Sequence, residues 1–94
     1  MKKVYVLQNS WHTDCEGSDF GIVGIFVSRE RAIEELKKCV ADDIANDSLF
    51  ENGEPCDGTV VEDDIEKGYW CAYEDGEYLL NSCEYKITEE VIYE

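Results

Sequence analysis

The chain has 94 residues, of which 44% are hydrophobic and 12% aromatic, and its formal net charge is −15. This length predicts one domain, 1–94, and the apolar content is too high for a disordered acidic tail. No run of 18 apolar residues occurs, which excludes a membrane-spanning helix, and an odd number of cysteines, five, argues against a secreted disulfide scaffold. We therefore expect a soluble cytoplasmic domain with reduced thiols.

The first half of the chain predicts two strands and a helix. Residues 2–9 and 20–27 are rich in β-branched residues and apolar on both faces, so the second of these strands is expected at the centre of a sheet. Residues 10–19 between them are expected to form a polar loop. Ser28 is a good N-cap, and the apolar period that follows predicts a helix over 29–46. The helical stripe consists of Ile33, Leu36, Val40 and Ile44, flanked by Ala32 and Cys39.

The second half predicts three or four strands. Residues 47–58, which include Asn52-Gly53, are rich in turn formers and are expected to be the least ordered segment. Asp75-Gly76 is a strong signal for a two-residue hairpin turn. The expected strands are 59–61, 69–74, 77–81 and 83–93.

This order, ββαβββ, predicts an α+β fold in which one helix packs on one face of a mostly antiparallel sheet of about five strands. One helix cannot cover both faces of such a sheet. The aromatic side chains of the second half therefore exceed what the helix can cover, and some are expected to be exposed or to pair with a second copy in a homodimer. They include Tyr69, Trp70, Tyr73 and Tyr78.

The charge is distributed unevenly along the chain. Residues 1–41 hold six acidic and six basic residues, whereas residues 42–94 hold seventeen acidic residues and two basic ones. A net charge of about 2–8 is enough to keep a small domain soluble. The excess in one segment favours a partner selected by charge, with solubility alone as the alternative explanation.

Direct binding to nucleic acid is disfavoured, because this surface would repel the phosphate backbone. A surface of spaced carboxylates is suited instead to a basic protein partner, such as a nuclease or another nucleic-acid-binding protein, whose groove it could occupy. The candidate partner-binding residues run from the end of the helix through the following loop and strand. They are Asp42, Asp43, Asp47, Glu51, Glu54, Asp57, Glu62, Asp63, Asp64 and Glu66.

His12 and Cys15 are the nearest approach to a chemical site. Their spacing could serve zinc, or a cysteine nucleophile with a histidine base, but no spacing supports the further ligands or groups that either would need. No calcium loop and no glycine-rich phosphate loop is present. We therefore expect a non-enzymatic protein with no metal and no cofactor.

Residues 4–7 (VYVL) and 24–32 (GIFVSRERA) resemble a type of small uncharacterised bacterial and phage α+β protein. In that type, a first strand, a G-[IV]-[FY]-x-S-x-E-x-A junction and an acidic strand region follow one another. The resemblance covers about residues 1–50 and implies no catalytic residues. In size and charge the chain is also similar to acidic phage anti-defence proteins, including anti-CRISPR proteins and other DNA mimics.

The sequence thus favours a small inhibitor, encoded by a phage or mobile element, that engages a basic partner through its acidic surface. The alternative is an acidic accessory or structural domain that binds through aromatic or edge-strand contacts.

Overall fold

The structure, a computed structural model, describes residues 2–13, 17–47, 49–75 and 81–93. It contains one α-helix, a five-stranded antiparallel sheet and a two-stranded hairpin, which confirms the predicted α+β class. In chain order, the elements are β1 (Lys2–Thr13), β2 (Gly17–Phe26), α1 (Arg29–Asn46), β3 (Phe50–Glu51), β4 (Glu54–Pro55), β5 (Thr59–Asp64), a one-turn 3-10 helix (Ile65–Lys67), β6 (Tyr69–Glu74) and β7 (Ser82–Ile92).

The strand order of the large sheet is β2-β1-β7-β6-β5, which places β7 at the centre. Its pairing with β1 runs from Lys2 opposite Ile92 to His12 opposite Ser82. The expected central position of the strand at 20–27 is wrong, because β2 is an edge strand whose side chains Ile22 and Ile25 are largely exposed. An apolar strand has the same sequence pattern whether or not its own chain covers it.

Several expected boundaries also change. Residues 10–13 and 17–19 extend β1 and β2 instead of forming a loop. The segment expected to be least ordered contains the hairpin of β3 and β4, with Asn52 and Gly53 at φ values of 53° and 80° in its turn. The predicted strand 77–81 and its turn lie mostly outside the described residues, and the described partner of β6 on that side is β7.

Helix α1 begins and ends as the sequence predicts. The hydroxyl of Ser28 accepts a hydrogen bond from the backbone N–H of Arg31 at 3.2 Å, which satisfies one of the unpaired donors of the first turn. The helix buries Leu36 and Val40 against the sheet. No helix within the described ranges is long and apolar enough to cross a lipid bilayer.

The core lies between α1 and the sheet, and Trp70 is its largest fully buried side chain. Its ring stacks on Phe50, with centroids 6.1 Å apart, and tilts against Tyr85 at 6.2 Å. The buried cluster as a whole comprises Leu7, Leu36, Val40, Leu49, Trp70, Ala72, Cys83 and Tyr85. It ties α1 to β1, β6 and β7, and leaves most of the β2 side chains outside.

A polar contact between described residues also crosses this interface. The hydroxyl of Tyr85 on β7 donates a hydrogen bond to Asp43 Oδ2 on α1 at 2.7 Å. A hydrogen bond to a charged acceptor contributes more than one between neutral groups, because losing it leaves a partly desolvated charge without its donor.

We expect Tyr85→Phe to lower the free energy of unfolding by about 1.5 kcal/mol, because Asp43 then loses that donor. Tyr69→Phe is the matched control. It removes a hydroxyl whose bond to Glu84 is longer, at 3.3 Å, and should cost less than about 0.5 kcal/mol. Urea unfolding at pH 7 measures both values, and equal losses would contradict a specific role for the Tyr85 contact.

Candidate functional site

The register of the sheet separates its side chains into two faces. Leu7 and its cross-strand partner Ile87 project from the face that α1 covers. The residues next to them along each strand project from the other face, which we call the open face. No described helix covers this face. Register places on it Ser10, His12, Phe20, Glu62, Tyr69, Cys71, Tyr73, Ser82 and Glu84.

These side chains line the open-face groove, which has a volume of about 930 Å³. Its central carboxylates are Glu62 and Glu84, and its lining also includes Asp19, Glu74 and Asp75. The rings of Tyr69, Tyr73 and Phe20 form apolar parts of its wall, beside the hydroxyls of Ser10 and Ser82. Among the described lining residues there is no lysine or arginine, so the groove combines aromatic surface with net negative charge. Lys86 lies beside it on the same face, opposite Tyr69.

Two hydrogen bonds contact the central carboxylates. The thiol of Cys71 donates to Glu62 Oε2, with sulfur and oxygen 3.6 Å apart, and the hydroxyl of Tyr69 donates to Glu84 Oε2 at 3.3 Å. Each donor comes from β6, between the two strands that carry the carboxylates. The carboxylates are thereby held on opposite sides of the Tyr69 and Cys71 side chains.

The electrostatics of the groove disfavour a reactive thiol. Burial is the main cause that raises the pKa of Cys71, and the neighbouring carboxylates of Glu62 and Glu84 raise it further, against an opposing hydrogen bond from Tyr69. The hydrogen bond to Cys71 and burial likewise raise the pKa of Tyr69. Because the thiolate is the nucleophilic form, this environment suppresses the chemistry of Cys71.

What the groove can do chemically is bind a cation. Carboxylates accept charge-assisted hydrogen bonds from ammonium and guanidinium groups, and the faces of tyrosine and phenylalanine rings attract the same groups. The matching ligand is a lysine or arginine side chain with its long aliphatic stem, since that stem can lie on the apolar parts of the wall.

The hypotheses that joined His12 to Cys15 receive no geometric support. Cys15 lies outside the described residues, and His12 is half-buried on the open face. Within the ranges that the structure describes, no three His, Cys, Asp or Glu side chains are placed to share a metal ion.

Two of the predicted partner-binding residues, Asp43 and Asp47, form hydrogen bonds within the fold. Asp43 accepts the hydrogen bond of Tyr85, and burial, followed by the charges of Asp47 and Asp42, raises its pKa. Asp47 caps the end of α1, and its Oδ1 accepts the N–H of Leu49 at 2.9 Å. Asp42 is exposed and accepts a hydrogen bond from the amide of Asn46.

Three further predicted residues lie in and beside the small hairpin. Glu51 and Glu54 are exposed and directly opposite each other in the β3–β4 register, and Asp57 is exposed in the following turn. Like charges directly opposite each other destabilise a pair of strands. The facing carboxylates of Glu51 and Glu54 therefore lower the stability of this hairpin.

The last four predicted residues lie along the β5 edge. Glu62 and Asp64 project from the open face and Asp63 from the face that α1 covers, while Glu66 in the 3-10 helix lies 3.9 Å from Lys37. Of all ten predicted residues, Glu62 is the only one that lines the open-face groove, as far as the structure describes its lining. The ten residues thus belong to several surfaces instead of one.

Sequence reasoning missed Glu84, Tyr69, Cys71 and Tyr73 as parts of a site. Alternate positions 69, 71 and 73 do share a face in any strand, and that signal was present. What the sequence could not supply was the position of β7, which brings Glu84 beside them.

Comparisons of the chain with protein-family models, with curated proteins and with solved structures find no significant match. The resemblance of residues 1–50 to small bacterial and phage proteins therefore stays a prediction.

Because its pKa is raised, we expect Cys71 to be alkylated by iodoacetamide at pH 8 more slowly than a free cysteine. Glu62→Gln removes one of the charges that raise this pKa and should accelerate the reaction by about threefold. Peptide-resolved mass spectrometry measures the rate. Glu54→Gln, on the separate β3–β4 hairpin, is the control, and equal acceleration in both variants would exclude a local effect.

The raised pKa of Asp43 also predicts a pH dependence of stability. Because the folded state holds the proton more tightly than the unfolded state, the protonated carboxyl favours folding, and this contribution is lost as pH rises through the folded-state pKa. Asp43→Asn should therefore stabilise the protein at pH 7 by up to about 1 kcal/mol, with the gain disappearing near pH 3. Urea unfolding at both pH values tests this, and an equal gain in exposed Asp57→Asn would attribute it to net charge alone.

Proposed function

We propose that the protein is a non-catalytic binding protein that takes a basic segment of a partner protein into its open-face groove. The observation that carries the proposal is the composition of the lining, with the carboxylates of Glu62 and Glu84 beside the rings of Tyr69 and Tyr73 and no lysine or arginine among the described wall positions. Lysine- or arginine-rich chains supply the complementary charge and the flexible stems that such a wall accommodates.

The rest of the acidic surface supports the same role. Glu51, Glu54, Asp57, Asp63 and Asp64 are exposed, and none of them forms an ion pair within the described part of the chain. A field of one sign accelerates the approach of an oppositely charged protein, by a factor that falls as salt is added. The groove would then confer specificity, and the surrounding carboxylates would increase the association rate.

The partner class that fits this chemistry best is a nucleic-acid-binding protein such as a nuclease, whose basic groove the acidic surface would occupy in place of DNA or RNA. An inhibitor of this kind, encoded by a phage or mobile element and acting in the cytoplasm, is consistent with the size and charge of the chain. Its effect would be to lower the partner's affinity for nucleic acid without any chemical step.

A specific observation also favours the second candidate role, in which contacts run through an apolar strand edge. Phe20 and Ile25 on the edge strand β2 are 78% and 61% exposed. The two roles are compatible, because Phe20 belongs both to this edge and to the wall of the open-face groove.

We expect the protein to bind an octa-arginine peptide with an affinity that falls as salt rises, since each ion pair is screened. Glu62→Gln/Glu84→Gln should weaken binding by about tenfold or more, because both central carboxylates of the groove are lost. The matched control is Glu51→Gln/Glu54→Gln, which changes the net charge equally but lies outside the groove. Isothermal titration calorimetry at two salt concentrations measures the affinities.

Equal weakening in both double variants would show binding to net charge and would exclude the groove as the site. The same variants, used in a pull-down from bacterial lysate with a salt step for elution, extend the test to a natural partner. A basic protein that the wild type and the Glu51/Glu54 control retain, and the Glu62/Glu84 variant loses, is the expected result.

A further inference from the structure

The edge strand β2 carries an apolar stripe, formed by Phe20, Ile22 and Ile25 together with Val27 directly after the strand. These side chains are between 61% and 78% exposed. Ile22 and Ile25 share the open face although they are three residues apart, because the register shift at Leu7 and Gln8 accommodates an extra residue in β2. The bulge thus aligns a continuous apolar row along an unpaired edge.

The two edges of the sheet differ in how well they are protected against pairing with a strand of another chain. The β5 edge carries Glu62, Asp63 and Asp64, and inward or edge charges of this kind prevent strands from pairing with other chains. The β2 edge has ten residues, no proline, no lysine and a single charge at Asp19. An exposed, long, apolar edge strand without such protection is suited to pairing with another strand.

The size of the stripe is that of an interface. Its four side chains expose roughly 500 Å² of apolar surface, at the upper end of what the largest patch on a monomer usually reaches. Edge pairing places the two stripes side by side on one face, where neighbouring side chains cover part of this surface and the outer N–H and C=O groups of both strands pair.

We propose that a second copy of this chain pairs with the β2 edge, so that the two β2 strands lie antiparallel about a twofold axis and form a ten-stranded sheet. The charge distribution favours a second copy as the occupant. A copy with a charge of −15 can approach only where charge is low, and residues 17–28 carry one charge. Edge pairing also places the two acidic β5 strands about 40 Å apart, several Debye lengths at physiological salt.

Charge also decides between edge pairing and a face-to-face sandwich. Stacking two open faces would bring the carboxylates of Glu62 and Glu84 in one copy against those of the other. Edge pairing avoids this, because its twofold axis is perpendicular to the sheet and leaves both open-face grooves on the same side. The proposal does not depend on what the grooves bind.

Analytical ultracentrifugation over about 1–100 μM protein tests the association. We expect a species of twice the 10.8 kDa chain mass, and a dissociation constant that is unchanged or lower when salt rises from about 0.05 to 0.5 M, because salt screens the repulsion between copies. The opposite salt dependence distinguishes this contact from binding of a basic ligand. A monomer at every concentration would overturn the proposal.

The variant Ile22→Lys/Ile25→Lys should raise the dissociation constant by about tenfold or more, because paired copies would bury like charges opposite each other. Lysine also lowers the net negative charge, so general repulsion cannot explain weaker association. Val91→Lys, on the face that α1 covers, is the control and should leave the dimer intact. Far-UV circular dichroism checks the fold of each variant, and a dimer unaffected by the stripe substitutions would contradict the proposal.

Two measurements on the wild type keep the test independent of variant folding. Amide hydrogen exchange should slow within β2 as protein concentration rises, because pairing protects its outer N–H groups. Small-angle scattering should show a flat dimer, because edge pairing widens the sheet and keeps the thickness of one copy, whose extents are 47, 25 and 18 Å. A dimer two sheets thick, or exchange in β2 that does not change with concentration, would exclude edge pairing.

Discussion

A single α-helix, about 10–12 Å across with its side chains, covers only part of a five-stranded sheet whose outer strands are about 19 Å apart. Helix α1 lies over the strands that carry Leu7, Trp70 and Tyr85, and the core forms there. Within the described part of the chain, two surfaces have no covering layer: the open face and the β2 edge. The first is polar and acidic where the groove lies, and the second is apolar, so the two surfaces differ in the ligands they can accept.

The sequence was sufficient for the helix, because Ser28 and the apolar stripe through Leu36 and Val40 set the bounds of α1. It was insufficient for the hairpin of β3 and β4, since the turn signal at Asn52-Gly53 had no long apolar strands beside it. The strand order could not be predicted, because the alternation of apolar residues along a strand does not indicate which strands are neighbours. The same limit applied to the site: Glu62 could be identified from charge alone, whereas Glu84 joins it only through the pairing of β6 with β7.

The uneven distribution of charge along the chain corresponds to two different edges of the sheet. The charge-balanced part of the chain, residues 1–41, supplies β1, β2 and most of α1, while the acidic part supplies β5, β6, β7 and most of the exposed carboxylates. One edge of the molecule is therefore nearly neutral and the opposite edge strongly negative. Association with itself and association with a basic partner would use different edges, and an assembled pair would offer two grooves on one side to a ligand with repeated basic segments.

The central position of β7 has a consequence for how the molecule forms. Residues that pair between β1 and β7 are 70 positions apart at His12 and Ser82 and 90 apart at Lys2 and Ile92. A chain must close loops of this length before those contacts stabilise it, and high contact order of this kind slows folding. Until β7 arrives, β1 has a free edge and Leu7 and Trp70 belong to separate fragments. The carboxylates of the second half then have a kinetic benefit, since their mutual repulsion keeps unfinished chains from aggregating while the central strand finds its place.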